Sequence, residues 1–272
     1  RKSADFKMDR YELGGATVWM LYCEGMADGM KINRYILGQL NEIIPQTGGG
    51  RHLDRKLHVV PVENPGDCVH LVFSGKLVIY IEEAGVLFAY DLTDPPHRSP
   101  EDSNSEVSIK GPRDAFVEEL VANVALVRKR LRSNSLCYEK MTIGKRGQST
   151  VALLYIEDVA NPQIIEEVKR RLKRIDIDML FSSGQLEEMI SDFPHSIFPL
   201  VNSTTRPDFV VDALIRGRFA IIVDGAPNAV LAPVNLTFLL RSVEDSYLPY
   251  YISSFKLLFR YVGLVLSILL PG

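Results

Sequence analysis

Two apolar runs stand out along the chain: VWMLYC at residues 18–23 and VALLYI at residues 151–156. Neither alternates apolar with polar positions, and both are too short for a buried helix, so each predicts a strand covered on both faces. After each run the chain passes through an acidic and small-residue turn and the period changes. In NPQIIEEVKRRLKRI, residues 161–175, Ile165, Val168 and Leu172 recur at three and four residues, the stripe of an amphipathic helix. Asn161 can cap it and Pro162 suits its first turn, and its acids precede its bases as the helix dipole favours. The earlier counterpart, MKINRYILGQLNEII at 30–44, puts Ile32, Ile36 and Leu40 on one face.

Aligning Ala16–Ala27 with Ser149–Ala160 gives six identities in twelve positions (Thr, Val, Leu, Tyr, Glu and Ala), which implies a duplicated unit. A second block agrees: SGKLVIYIEEAG at 74–85 and RGRFAIIVDGAP at 216–227 both read glycine, basic residue, apolar strand and acidic turn. PDFVVDALIRG, with Pro207 in the first turn and Gly217 past the last, reads as a complete short helix. The predicted fold class is therefore α/β: two α/β subdomains, each a small mixed sheet with helices, joined by a long helix and followed by a C-terminal membrane-proximal helix. The expected boundaries are 1–106 and 149–246 for the subdomains, 107–148 for the bridging helix and linker, and 247–272 for the last helix. DLTDPPHRSPEDSNSE at 91–106 reads as an exposed loop. In PRDAFVEELVANVALVRKRLR, Phe116, Leu120, Val124, Val127 and Leu131 fall on one face of the bridging helix. Its Arg128, Lys129, Arg130 and Arg132 read as a solvated basic helix end.

Composition limits the chemistry. With 46% apolar and 24% charged residues the chain folds rather than staying disordered, and a net charge of -3 offers no positive field for nucleic acid. Cys23, Cys68 and Cys137 form no CxxC pair and suit a reducing compartment. The first residues, RKSADFKMDR, lack the apolar core of a secretory signal. Asp176 and Asp178 in RIDIDML would share one face of a strand, where they could bind a metal or exchange protons, although an Ile-in, Asp-out alternation explains them as well. Glu24 and Glu157 hold matching places after the repeated strands and could mark twin ligand pockets, or simply cap a duplicated turn. Glycines 48–50 with Arg51 and His52 lack the GK[ST] ending of a phosphate cradle and read as a flexible surface loop. The histidines at 52, 58, 70, 97 and 195 show no HExxH spacing, and neither GxSxG nor GxGxxG occurs. No catalytic, cofactor-binding or metal-binding residue is assigned, and the sequence does not indicate an enzyme.

The C-terminus carries more information. From Ile252 to Leu270 the chain is nearly all apolar apart from Lys256 and Arg260, close to the length of about 20 residues that crosses a bilayer. Those two cations, four apart on one face, suggest an interfacial entry, with YVGLVLSILL dipping deeper and the span continuing past the last residue. Tyr247, Tyr250 and Tyr251 precede it as an interface belt would, and basic residues on the N-terminal side suit a cytoplasmic domain leading into membrane.

The runs KGPRDAFVEELVANVALVRKRLRSNSL, VALLYIEDVANPQIIEEVKRRLKRIDIDML, FPLVNSTTRPDFVVDALIRGRFAIIVDGAPNAVLAPV and SVEDSYLPYYISSFKLLFRY closely resemble the A subunits of GerA-type spore germination receptors, from about residue 109 onward. The family usually has an acid where this chain has Thr205. The resemblance implies a protein of the spore inner membrane whose large N-terminal region of two α/β subdomains faces the cytoplasm. It implies an oligomeric, ion-conducting component that works with B and C subunits and touches lipid through its C-terminal segment. Its role would be to assemble and to couple nutrient sensing to ion release. The paralogous stage V sporulation protein AF is a close alternative. A small-molecule binding module and a hydrolase or transferase using Asp176 and Asp178 are the readings from other classes.

Overall fold

The duplicated pattern builds the same sheet twice. The computed structural model describes residues 3–47, 49–94, 114–191, 199–241, 245 and 248–270. The first half runs β1 (Phe6–Leu13), β2 (Ala16–Cys23), α1 (Gly29–Lys31), a π-helical turn Ile32–Ile36, α2 (Leu37–Gln46), β3 (Val59–Pro61), α3 (Cys68–Phe73), β4 (Lys76–Ile81) and β5 (Val86–Asp91). The second half runs α4 (Leu120–Arg130), β6 (Leu136–Ile143), β7 (Ser149–Ile156), α5 (Pro162–Arg174), α6 (Ser183–Ile190), β8 (Asn202–Thr204), α7 (Pro207–Ile215), β9 (Phe219–Val223), β10 (Ala229–Ala232), α8 (Leu236–Leu239) and α9 (Tyr250–Leu269). The strand orders β1-β2-β4-β5-β3 and β6-β7-β9-β10-β8 correspond strand for strand. The first sheet is antiparallel throughout, not mixed, and β10 is antiparallel to both β8 and β9. The compact units interleave in sequence: residues 1–97, 119–141 and 152–158 form one, and residues 98–118, 142–151 and 159–272 form the other.

The repeat extends to single hydrogen bonds. Tyr80 pairs with Leu87 as Ile222 pairs with Ala229, so the β4–β5 and β9–β10 registers match. Glu82 donates its backbone N–H to the Thr17 carbonyl at 3.0 Å, and Asp224 does the same to Thr150 at 2.9 Å. Gly75 and Gly217, with φ of +92° and +82°, each leave a helix through the left-handed region. A Cβ on Gly75 would lie 2.7 Å from the Met26 carbonyl oxygen, and one on Gly217 would lie 3.1 Å from that of Val159, 133 residues later.

Period-2 alternation decides which side chains of the first sheet face which layer. Leu77, Ile79 and Ile81 of β4 join Val18 and Met20 of β2 under Ile32, Ile36, Leu40 and Ile44 of the first helical segment. Ile32, Ile36 and Leu40 are the stripe the sequence predicts, and Ile44 extends it. Val78, on the other face, packs with Cys23, Met26, Val72, Phe73 and Ala125. Gly50 is buried against Ile81 rather than lying in a loose loop, because a Cβ there would sit 2.2 Å from the Ile81 Cδ1. In the second unit, Val210, Ala213 and Leu214 of α7 are buried, as are all residues of β9 and β10.

Two expectations for the bridging helix need correction. Helix α4 starts only at Leu120, and Phe116 is buried in a non-helical stretch before it. There the Phe116 N–H donates to the Thr205 carbonyl at 2.8 Å and Gly225 N–H donates to the Glu118 carbonyl at 2.8 Å, so these backbone groups are committed to tertiary partners. Arg128, read as part of a solvated helix end, is fully buried. Its Nε donates to Asp5 Oδ2 at 2.9 Å, Nη1 to the Ser133 carbonyl at 2.8 Å, and Nη2 to Ser3 Oγ at 2.9 Å and the Leu136 carbonyl at 3.1 Å. The guanidinium also lies over the Phe73 ring, 4.1 Å from its centroid. The loop expected at 91–106 lies outside the described residues beyond Asp94.

Truncating Arg128 to methionine strands the buried Asp5 carboxylate, so urea unfolding is expected to show a loss of about 3–5 kcal/mol. Asp5→Leu combined with Arg128→Met should unfold at a higher urea concentration than Arg128→Met alone, because no charge is then left without its partner. Both Gly75→Ala and Gly217→Ala should destabilise by about 1–2 kcal/mol for the left-handed backbone alone. Thermal melts should rank Gly75→Ala as the more damaging, since its added methyl meets the closer carbonyl.

Candidate membrane-anchoring site

A helix on the surface of a water-soluble domain turns its apolar stripe inward. Helix α9 does the reverse. Ser253, Lys256, Leu257, Arg260, Tyr261 and Leu264, spaced at three and four residues, form its half-buried stripe. Phe255, Leu258, Phe259, Val262, Leu266 and Leu269 face outward, and none of the helix's residues is buried. With 20 residues it spans about 30 Å, long and apolar enough to cross a bilayer. Tyr250 and Tyr251 stand exposed at its start with their rings 5.7 Å apart; Tyr247 lies outside the described residues.

Polar contacts fix this inverted orientation. Arg260 Nη1 donates to the Leu240 carbonyl at 2.9 Å, and the same guanidinium pairs with the buried Asp245 carboxylate. The hydroxyls of Thr237 and Tyr261 share a hydrogen bond of 2.8 Å. Their partner helix α8 is itself secured: Asn235 Oδ1 accepts from the Phe238 N–H at 2.9 Å, and the Phe238 ring stacks on Phe209 of α7 at 5.0 Å.

The matching acids after β2 and β7 serve one structural purpose. Glu24 and Glu157 donate their backbone N–H groups to the carbonyls of Asp5 and Ser135, at 2.8 and 2.9 Å. The tyrosines two residues earlier repeat another bond: Tyr22 donates to Asp9 at 2.9 Å and Tyr155 to Glu139 at 2.6 Å. Burial and these carboxylates push both phenols well above their usual range. The carboxylates of the two repeat acids diverge. Glu24 pairs with Lys7 at 3.1 Å, whereas Glu157 lines a cleft of about 500 Å³ with Ser3, Phe6, Leu21, Cys68 and Cys137. Burial, then the Asp5 charge, raises the Cys23 thiol far above the ordinary range, so it remains a protonated donor to Asp5 at 3.5 Å.

Asp176 and Asp178 do not share a strand. They lie in an irregular segment after α5, largely exposed, where Lys145 meets Asp176 at 2.6 Å and Arg146 meets Asp178 at 3.7 Å. The backbone N–H groups of Lys145 and Arg146 also donate to the carbonyls of Ile177 and Asp178, so both acids belong to a surface latch on the β6–β7 turn. His52, His58 and His70 are exposed, and His97 and His195 lie outside the described residues. Among the described residues no group of three or more His, Cys, Asp or Glu could hold a metal ion.

Over residues 1–272 the sequence matches the Bacillus/Clostridium GerA spore germination protein family. The chain belongs to the GerA family. Spore germination protein XA of Bacillus anthracis is 38% identical over 263 residues, covering 94% of this chain and 54% of that protein. Spore germination protein A1 of Bacillus subtilis is 34% identical over 95% of this chain and 54% of its own length, and stage V sporulation protein AF of the same species is 28% identical over 93% and 52%. This GerA chain thus spans about half the length of the relatives it matches. A solved structure shares its fold: the N-terminal domain of the A subunit of the Bacillus megaterium spore germinant receptor GerK3, with a TM-score of 0.63, 27% identity, and coverage of 86% of this chain and 90% of that one.

Within the GerA chain, the sequence identified α9 but missed what holds it. Asp245 lies between positions whose pattern carries no helix or strand signal, and nothing local links it to Arg260. Replacing Asp245 with Asn should loosen α9 from α8, seen as faster amide hydrogen exchange across residues 253–261 than in the parent protein, with the rates of α5 unchanged.

Proposed function

We propose that this chain is the N-terminal region of a spore germinant receptor A subunit, facing the cytoplasm, with α9 as its entry into the spore inner membrane. In this reading the two α/β halves, residues 1–106 and 149–246, form the assembly and coupling surface, and residues 247–272 carry motion into the membrane region. The observation that carries it is the inverted face of α9: its polar stripe lies on the fold and its apolar stripe faces outward. Burying that face in lipid is worth about 25 cal/mol per Å² removed from water. Family membership and the likeness to the GerK3 A-subunit domain support the receptor assignment. The proposed partners are the B and C subunits, further copies of the chain, and lipid; the proposed role is to couple nutrient sensing to ion release rather than to catalyse. Stage V sporulation protein AF, at 28% identity, keeps a channel component of that kind as the nearest alternative.

One observation favours a second reading. The cleft beside Glu157 has the size of a small-ligand site and combines apolar walls with one carboxylate. Calorimetry with amino acids, sugars and nucleotides tests it, and heats indistinguishable from dilution with all three would end that reading.

The membrane reading is tested by flotation. The chain should co-float with phosphatidylcholine vesicles, and a version lacking residues 250–272 should stay at the bottom of the gradient as a folded, soluble protein. Aggregation of the truncated protein would show that α9 is part of the core and would overturn the proposal. Asp176→Asn with Asp178→Asn, placed in the whole receptor, should leave germination kinetics unchanged.

A further inference from the structure

Arg218 has no ion-pair partner among the described residues. Its guanidinium carbon sits 4.1 Å from the centroid of the Phe238 ring, and its Nε is buried with no hydrogen-bond partner among the described residues. A carboxylate is close, but it is taken: Asp212 receives two hydrogen bonds from Arg216, at 2.8 and 2.9 Å. Arg241 follows α8 with an exposed side chain. The Arg241 N–H donates to the Phe238 carbonyl at 3.1 Å, so Arg218 and Arg241 have Phe238 as a common neighbour. Burial, reinforced by the like charges of Arg216 and Arg241, lowers the Arg218 pKa below the ordinary arginine value while leaving it charged at neutral pH. A guanidinium held flat on an aromatic ring and partly stripped of water has lost hydrogen bonds that an anion with several oxygens can replace.

The position of this cluster suggests which anion. Thr237, just before Phe238, holds Tyr261, and Leu240, two residues after it, holds Arg260 through its carbonyl. Arg218 and Arg241 thus stand by the stretch that holds Arg260 and Tyr261, midway along α9, where Leu258, Phe259 and Val262 of the apolar stripe face outward. We propose that Arg218 and Arg241 form a binding site for the phosphate of an anionic lipid headgroup beside Arg260 and Tyr261 of α9, at the level where the helix leaves the fold for the membrane. The site rests on the reading of α9 as membrane-facing and adds lipid selectivity to it. Lipid is favoured over a dissolved phosphate because the same few residues present the cations and the apolar face together, as the boundary of a bilayer requires.

The test is flotation of the whole chain with two vesicle compositions, phosphatidylcholine alone and phosphatidylcholine mixed with phosphatidylglycerol. The parent protein should bind both, with a salt-sensitive preference for the mixture. In Arg218→Gln with Arg241→Gln that preference should fall by roughly tenfold or more, while binding to phosphatidylcholine persists. Arg241→Gln alone alters only an exposed side chain, and should lose several-fold of the preference with its thermal unfolding unchanged. An undiminished preference in either variant overturns the site. So does stabilisation of the parent, but not of the double variant, by inorganic phosphate without vesicles, which would assign the pocket to a free anion. Failure of the parent to bind phosphatidylcholine would instead overturn the reading of α9.

Discussion

A buried guanidinium organises the first unit. A charge removed from water is tolerated only when its donors are satisfied, and Arg128 meets that condition by reaching Ser3, Asp5, Ser133 and Leu136 at once while lying on Phe73. Those partners lie as many as 125 residues from Arg128 in sequence, so the ion pair specifies which distant segments meet as much as it stabilises them. Cys23 adds its thiol to the same carboxylate and remains protonated because burial disfavours the thiolate.

Around that node the chain repeats one solution. A strand buried on both faces, a helix laid across it and a glycine exit pressed against a carbonyl recur with the same strand order and the same β4–β5 register. The two halves have diverged where side chains meet solvent. Glu24 pairs with a lysine, and its counterpart Glu157 lines a cleft, although their backbone bonds are the same. Duplication conserved the hydrogen bonds that close the turn and left the carboxylates free to change.

The second unit ends in a helix whose polarity is inverted. Arg260 and the Tyr261 hydroxyl are held by Asp245, Leu240 and Thr237, which leaves the apolar stripe pointing away from the fold. Water penalises that arrangement and hydrocarbon does not. The inverted face is what supports the proposed membrane contact, and Arg218 rests on its aromatic shelf on the element that holds the middle of α9.

Periodicity and repetition alone determined a good deal: the α/β class, the duplication, the stripe of Ile32, Ile36 and Leu40, the helix that Pro207 opens and Gly217 closes, and the apolar C-terminal segment. These are properties of neighbours within a few residues, where backbone geometry fixes which side chains share a face. Arg128 lay within reach of the same logic, since it sits four residues after Val124 on the buried side of α4, but only the distant Asp5 makes burial of a charge there tolerable. The pairing of Asp176 and Asp178 with the β6–β7 turn, the non-helical path of Phe116, and the meeting of Arg218 with Phe238 beside the middle of α9 were decided by the tertiary structure. Each depends on which distant backbone or charge arrives opposite, and a linear pattern holds no record of that.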